Sequence, residues 1–200
     1  MSGAPVAQAP VRKGSMEDAM MAADILADAF SDDPVMNWTF GGNKAFRTTF
    51  LELARGIYLR RGFCHIIGDD AATLWLPPGE AVALPLMNEL RIAFKAVSAT
   101  GFGVVNRVKK VSGVMEKAHP HKPHLYLFAV GVRKRAQGSG LGGRLIREGL
   151  AQARGADAYL ENSNPKNTPL YERLGFRAIA PLNLPQGAPP LLGMWREGGA

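Results

Sequence analysis

Leu125-Tyr126-Leu127-Phe128-Ala129-Val130-Gly131-Val132 is followed, across Arg133-Lys134-Arg135-Ala136, by Gln137-Gly138-Ser139-Gly140-Leu141-Gly142-Gly143. The first eight residues are apolar throughout, the pattern of a strand buried on both faces. Leu141, Leu145, Ile146, Leu150 and Ala153 then recur at helical spacing. The stretch reads as strand, glycine loop, helix. Glycine lets a backbone approach a ligand closely. A helix start offers unpaired N–H groups and a partial positive charge, both suited to phosphate.

Three readings of that loop compete. Gly138, Gly140 and Gly143 have the spacing of a dinucleotide-binding turn, but such a turn belongs to an early strand–helix–strand unit and this one lies late. A P-loop ends in Gly-Lys-Ser/Thr, whereas Gly142-Gly143-Arg144 stands here. A tight strand-to-helix turn with no ligand is the third reading.

Working outward, Val11–Lys13 reads as a short strand and Ser15 as an N-cap with Asp18 three residues on. The apolar stripe Met21, Ile25, Leu26, Ala29 makes a first helix ending near Phe30-Ser31, before Asp33-Pro34. A second helix is predicted from about Lys44 to Arg61, with Phe46, Phe50, Leu53 and Ile57 on one face. Phe63–Ile67 and Ala72–Leu76 are strands joined by Gly68-Asp69-Asp70. Helices over about Leu84–Ser98 and Val104–Lys117 precede the turn His119-Pro120-His121-Lys122-Pro123. After the glycine loop come strand Ala158–Glu161, helix Pro169–Leu174 with Gly175 as its C-cap, and strands Phe176–Ile179 and Leu191–Trp195. Residues 1–10 read as a loose tail and 11–200 as one α/β domain.

Composition narrows the function. The chain has 200 residues, 46% hydrophobic and 20% charged, which suits one packed domain and not a disordered tail protein. The net charge of +7 leaves nucleic acid, an anionic membrane or a phosphorylated ligand open. Residues 101–154 hold 11 Lys+Arg against 2 Asp+Glu, so the excess surrounds the glycine loop. Arg133, Lys134, Arg135 and Arg144 are therefore expected to add field for a phosphate. No nucleic-acid motif or long basic run is present, which ranks that partner low, and no apolar run is long enough for a membrane span. Cys64 is the only cysteine, which excludes a disulfide framework and a cysteine-based metal site. With no signal-peptide pattern at residues 1–10, the cytoplasm is the expected compartment.

The segment from Val130 through Gln137-Gly138-Ser139-Gly140-Leu141-Gly142 resembles the acetyl-CoA loop of the GNAT superfamily of N-acetyltransferases, Gln/Arg-x-x-Gly-x-Gly/Ala. A second match follows in order: Asn164-Pro165-Lys166-Asn167-Thr168-Pro169-Leu170-Tyr171-Glu172-Arg173-Leu174-Gly175-Phe176 resembles the family's Asn…Leu-Tyr-Glu-x-x-Gly-Phe segment. With Tyr159-Leu160-Glu161 before it, this segment is most similar to the small-molecule branch that includes puromycin N-acetyltransferase. Lys134 stands where many members carry proline. The resemblance covers about residues 124–180; the first 120 match only in the order of elements.

The resemblance implies the GNAT fold: a mixed, mostly antiparallel sheet of about six or seven strands flanked by helices, splayed at a bulge in the central strand. It implies acetyl-CoA as cosubstrate, with the pantetheine arm along Val130, Gly131 and Val132 and the bulge at Gly131. It places the pyrophosphate on the N–H groups of Gly138, Ser139, Gly140, Leu141, Gly142 and Gly143, with Gln137 also among the cofactor-binding residues. Asn164 and Asn167 would contact the donor arm. Attack by a neutral amine gives an oxyanion that a main-chain N–H at the bulge would stabilise, and Tyr171 would protonate the departing thiolate. The implied acceptor is a small-molecule amine. A protein N-terminal or lysine acetyltransferase, or a non-catalytic acyl-CoA-binding module, is the alternative, and a homodimer is left open.

Each of these residues has a second reading. Tyr171, beside Leu170 and Leu174, also suits packing, and Asn164 before Pro165 also suits an N-cap. No general base is assigned: His119, His121, His124, Glu116, Glu161 and water all remain. Trp38, Phe40, Tyr58 and Trp75 either shape an acceptor pocket or fill the core. Asp32 and Asp33 either recognise an amine or cap the exit of the first helix.

Overall fold

The computed structural model describes residues 9–153 and 155–199. Apart from Ala9 and Pro10, the expected tail lies outside these. Among the described residues seven strands form one sheet: β1 (Val11–Lys13), β2 (Phe63–Ile67), β3 (Ala71–Leu76), β4 (Leu125–Val132), β5 (Ala158–Asn162), β6 (Arg177–Leu182) and β7 (Leu191–Arg196). Their order is β1-β2-β3-β4-β5-β7-β6. Every neighbouring pair is antiparallel except β4 with β5.

The helices are α1 (Ala19–Ala29), α2 (Pro34–Phe40), α3 (Phe46–Leu53), which continues through a π turn at Ala54–Tyr58 into α4 (Leu59–Arg61), α5 (Leu86–Thr100), α6 (Gly103–Ala118), α7 (Leu141–Gln152) and α8 (Thr168–Arg173). Ahead of α1, the Asp18 carboxylate accepts the Ser15 N–H at 2.8 Å, as their spacing predicts. α2 was not expected. Asp33-Pro34, which reads as a stop, is a start: the Asp33 carboxylate accepts the Met36 N–H at 2.9 Å and proline occupies the first helical turn. No described helix is long and apolar enough to cross a membrane.

The core lies on both faces of the sheet. Ile66, Leu74, Tyr126 and Tyr159 pack with α1 and α3 on one face. Trp75, Leu127, Leu160 and Met194 pack with Ile146 of α7 and Tyr171 of α8 on the other.

Two features of β4 position the site. Its pairing with β3 slips between Leu74, opposite Ala129, and Trp75, opposite Leu127. Phe128 is the extra residue, so Phe128 and Ala129 both pack on the α1 face, the signature of a β-bulge. Its pairing with β5 then stops after Leu125–Ala158 and Tyr126–Tyr159. Beyond Tyr126 the two strands part. The splay is as expected, but the bulge is at Phe128 and not at Gly131. Gly131 serves a different need: a Cβ there would lie 2.8 Å from Ala29 Cβ and 2.9 Å from Leu26 Cδ2. Its missing side chain lets α1 lie close against the strand.

Candidate active site

The parted strands open toward the glycine loop. Arg133 leaves β4, a short turn over Lys134–Ala136 follows, and Gly140 is the N-cap of α7. Gly138 and Gly140 have φ of +80° and +81°, with nothing within 4 Å of where a Cβ would sit. Both conformations favour glycine, and both leave bare backbone facing open space. No side chain caps α7. Its first-turn N–H groups, on Leu141, Gly142 and Gly143, therefore lack helical partners and carry the positive end of the helix dipole, about half a charge. This uncapped turn fits a diphosphate.

The neighbouring side chains hold the loop's shape. Gln137 Nε2 donates to the Val132 carbonyl at 3.1 Å, and Ser139 Oγ donates to the Ala136 carbonyl at 2.5 Å. The Leu141 side chain is buried with Leu145, Ile67 and Ala71, leaving its N–H as its contribution. Gly142 and Gly143 face Leu170 of α8 at ordinary contact distance, which sets α8 beside the loop.

Two of the four basic residues expected to add field for a phosphate, Lys134 and Arg135, are in ion pairs, while Arg133 and Arg144 donate to main-chain carbonyls and keep their charge. Arg135 pairs with Asp70 at 2.7 Å and Asp69 at 2.8 Å. Lys134 pairs with Asp32 at 2.5 Å. Arg133 Nε donates to the Asp69 carbonyl at 2.7 Å, and Arg144 to the Ala9 carbonyl at 2.8 Å. The β2–β3 turn, through Asp69 and Asp70, and the turn after α1, through Asp32, brace the loop by these contacts. Nothing local in the sequence pairs Asp69-Asp70 with Arg135, so spacing alone could not show it.

On the far side of the gap, Asn162 ends β5 and donates to Thr168 Oγ1 at 2.9 Å. Asn164 Oδ1 accepts the Lys166 N–H at 3.2 Å, so the capping reading holds for that oxygen. Asn167 is exposed in the turn before α8. Val130 and Val132 of β4 are half-buried. Tyr171 is buried on the α7 face, edge-on to Phe176 at 6.1 Å. Burial, with the Asp33 carboxylate adding to it, pushes its hydroxyl well above the usual phenol range. It stays protonated at neutral pH, as a proton donor must.

Of the acceptor-side candidates, Trp75 fills the core, stacked on Phe63 at 5.9 Å. Phe40 packs on Phe46. Tyr58, at the end of the π turn, stacks on Phe128 at 4.8 Å, beside the bulge. Asp33 caps α2 and not the exit of α1.

A strand pair opened at a bulge, an uncapped helix start at its mouth and a buried tyrosine beside it are the features that the resemblance to N-acetyltransferases implies. The sequence model of the acetyltransferase (GNAT) family matches residues 71–176, and the chain belongs to that family. It is thus an N-acetyltransferase, and its family uses acetyl-CoA. An uncharacterized N-acetyltransferase of Schizosaccharomyces pombe is 28% identical over 80% of this chain and 71% of its own. The crystal structure of histone acetyltransferase HPA2 and related acetyltransferase from Corynebacterium glutamicum superposes with TM-score 0.73 at 23% identity, covering 96% of this chain and 97% of that one. Drosophila melanogaster polyamine N-acetyltransferase superposes with TM-score 0.56 at 17% identity, over 94% and 99%. Both share the fold.

Proposed function

We propose that the protein transfers an acetyl group from acetyl-CoA to the primary amine of a small molecule, by direct attack with both substrates bound. The observation that carries this reading is the opening of β4 from β5 after Tyr126, in line with the uncapped start of α7. The backbone of Gly138 to Gly143 holds the diphosphate. The β5-facing edge of β4 beyond Tyr126, free of a strand partner, is the place for the pantetheine arm at Val130–Val132. The thioester supplies an electrophilic carbonyl. The backbone at Phe128–Ala129 offers an N–H for the oxygen of that carbonyl. Tyr171 holds the proton that the sulfur takes as the C–S bond breaks, and a proton lost from the attacking nitrogen restores it. Asn164 and Asn167 flank the donor arm. The polyamine acetyltransferase of the same fold is consistent with a small amine as acceptor. A cytoplasmic location belongs to this reading.

The test is incubation with acetyl-CoA and a panel of primary amines, with free thiol and acetylated amine both measured. Equal amounts of CoA and acetylamine are expected. Acetyl-CoA binding by calorimetry with no CoA release from any amine would identify a binding module instead. Turnover on peptides alone would identify a protein acetyltransferase.

A further inference from the structure

Among the described residues, buried polar side-chain atoms without a hydrogen-bond partner concentrate in one place. Four of them, the Tyr58 and Tyr159 hydroxyls, His124 Nε2 and Glu161 Oε1, belong to a single cluster on the α1 face of the sheet. The Glu161 side chain is 4% exposed. Its Oε2 accepts the Tyr126 hydroxyl at 2.8 Å, whereas Oε1 has no hydrogen bond and only His119 Nδ1 at 3.9 Å. Tyr126 and Tyr159 stack at 6.0 Å, His119 stands edge-on to both at 4.8 and 5.3 Å, and His124 packs on Tyr159 at 5.5 Å.

Leaving so many polar atoms unmet in the interior is costly, most of all for a carboxylate. The arrangement is complete only with a polar occupant. Glu161 lies on β5 two residues beyond Tyr159, the last residue paired to β4. It therefore stands at the parting of the strands, level with the Phe128 bulge. A buried carboxylate with one oxygen lacking a hydrogen bond suits a cation, through a charge-assisted hydrogen bond.

Resting on the acetyl-transfer reading above, we propose that Glu161 anchors the acceptor's ammonium and, as general base, takes the proton that frees its lone pair. His119, with Nδ1 3.9 Å from Oε1 and 30% exposed, is the partly exposed neighbour through which that proton reaches solvent. The ionisable groups facing Glu161 are Tyr58 from the π turn, His119 from the end of α6, His124 ahead of β4, Tyr126 from β4 and Tyr159 from β5.

The adjoining cavity indicates the rest of the acceptor. Tyr159 also lines a space of about 330 Å³ between α6 and β6, together with Gly193, the strand partner of Glu161. Val114, Ala118, Ile179 and Leu182 make most of its wall apolar, and Lys117 is its one charged residue. Such a space takes an apolar body and repels a second ammonium. The acceptor class is a monoamine with an apolar alkyl or aryl body.

The probes are 2-phenylethylamine and putrescine, titrated by calorimetry into the full chain with CoA bound, beside CoA-release kinetics. Wild type is expected to bind 2-phenylethylamine at least tenfold more tightly than putrescine. Glu161→Gln should lose at least tenfold in that binding and 10²–10⁴ in kcat/KM. The acid limb of its pH profile should vanish, with acetyl-CoA affinity and Tm kept. Lys117→Glu should raise putrescine affinity several-fold. Failure of wild type to bind 2-phenylethylamine overturns the proposal. So does a Glu161→Gln enzyme with wild-type binding and pH profile, whose cluster then holds only water. Unchanged putrescine affinity in Lys117→Glu removes the assigned selectivity. Glu161-dependent amine binding without any CoA release would instead sink the transfer reading and leave the site standing.

Discussion

The Asp33 carboxylate accepts a hydrogen bond from the Ser163 hydroxyl at 2.5 Å, 130 positions along the chain, while also accepting the Met36 N–H. One buried side chain thus caps α2 and ties it to the residue that follows β5, at the mouth of the gap. Asp33→Ala is expected to lower stability by about 1–2 kcal/mol from the cap alone, and further from the stranded Ser163 hydroxyl. Asp33→Asn keeps Oδ1 for the Met36 N–H and puts at the other position an Nδ2–H that can donate to the Ser163 hydroxyl oxygen, and burial disfavours the charge it removes, so its loss should be less than half. Urea unfolding at constant m-value checks both. Equal losses would show that the charge matters and not the acceptor.

Tyr171→Phe removes only a hydroxyl from a packed ring. The ring contact with Phe176 survives, so the thermal midpoint should move little. Turnover is expected to fall by about 10²–10⁴ while acetyl-CoA affinity stays within twofold. Wild-type turnover in this variant would reduce Tyr171 to packing.

The order of strands and helices was legible because periodicity and turn residues are local signals. The glycine loop was legible because left-handed backbone leaves glycine in the sequence. α2 was not, because Asp-Pro reads equally as a stop and as a start. The bulge was not, because Leu125–Val132 is apolar on both faces, so no alternation marks where Phe128 and Ala129 share one. Glu161 was visible as a candidate only by its type. What singles it out is the company of Tyr58, Tyr126, His119 and His124, brought together from two stretches, around residue 58 and over 119–126, both far from it in sequence.

Two glycines in this region should fail in different ways. Gly131→Ala drives a methyl into Ala29 and Leu26 and should cost about 1–3 kcal/mol as overpacking, with α1 displaced from β4. Gly140→Ala meets open space but keeps φ at +81°, a strain of about 1–2 kcal/mol. Its larger effect should be on the donor, because the N-cap sets the direction of the first-turn N–H groups. Calorimetry should show acetyl-CoA binding weakened more by Gly140→Ala than by Gly131→Ala at a temperature where both are folded, because a Cβ at Gly131 points at α1 and leaves the backbone edge for the arm. The reverse order would move the donor site away from α7.

Stability should fall as pH drops from 7 to 5, and two buried histidines set the direction. Desolvation lowers the pKa of His65, which sits on the α7 face of β2, and of His124 in the aromatic cluster, both from the usual 6.5. The unfolded chain therefore binds protons at a pH where the folded chain does not. Stability rises with pH through the window below 6.5 and levels off above it. A proton held by the unfolded chain and not by the fold costs about 1.4 kcal/mol per pH unit. Asp33, whose pKa burial raises above 3.8, acts in the opposite sense. It destabilises the fold once ionised, so it offsets part of the loss only toward the acid end. Asp69 and Asp157, lowered from 3.8, add to the loss only as pH falls through and below that value. Tm measured in half-unit steps from pH 8 to 4.5 should be level to about 6.5 and then decline. In His124→Asn the decline should be shallower, because one of the two protons is gone. A wild-type Tm that is level down to pH 5 would show that neither histidine is held neutral by burial.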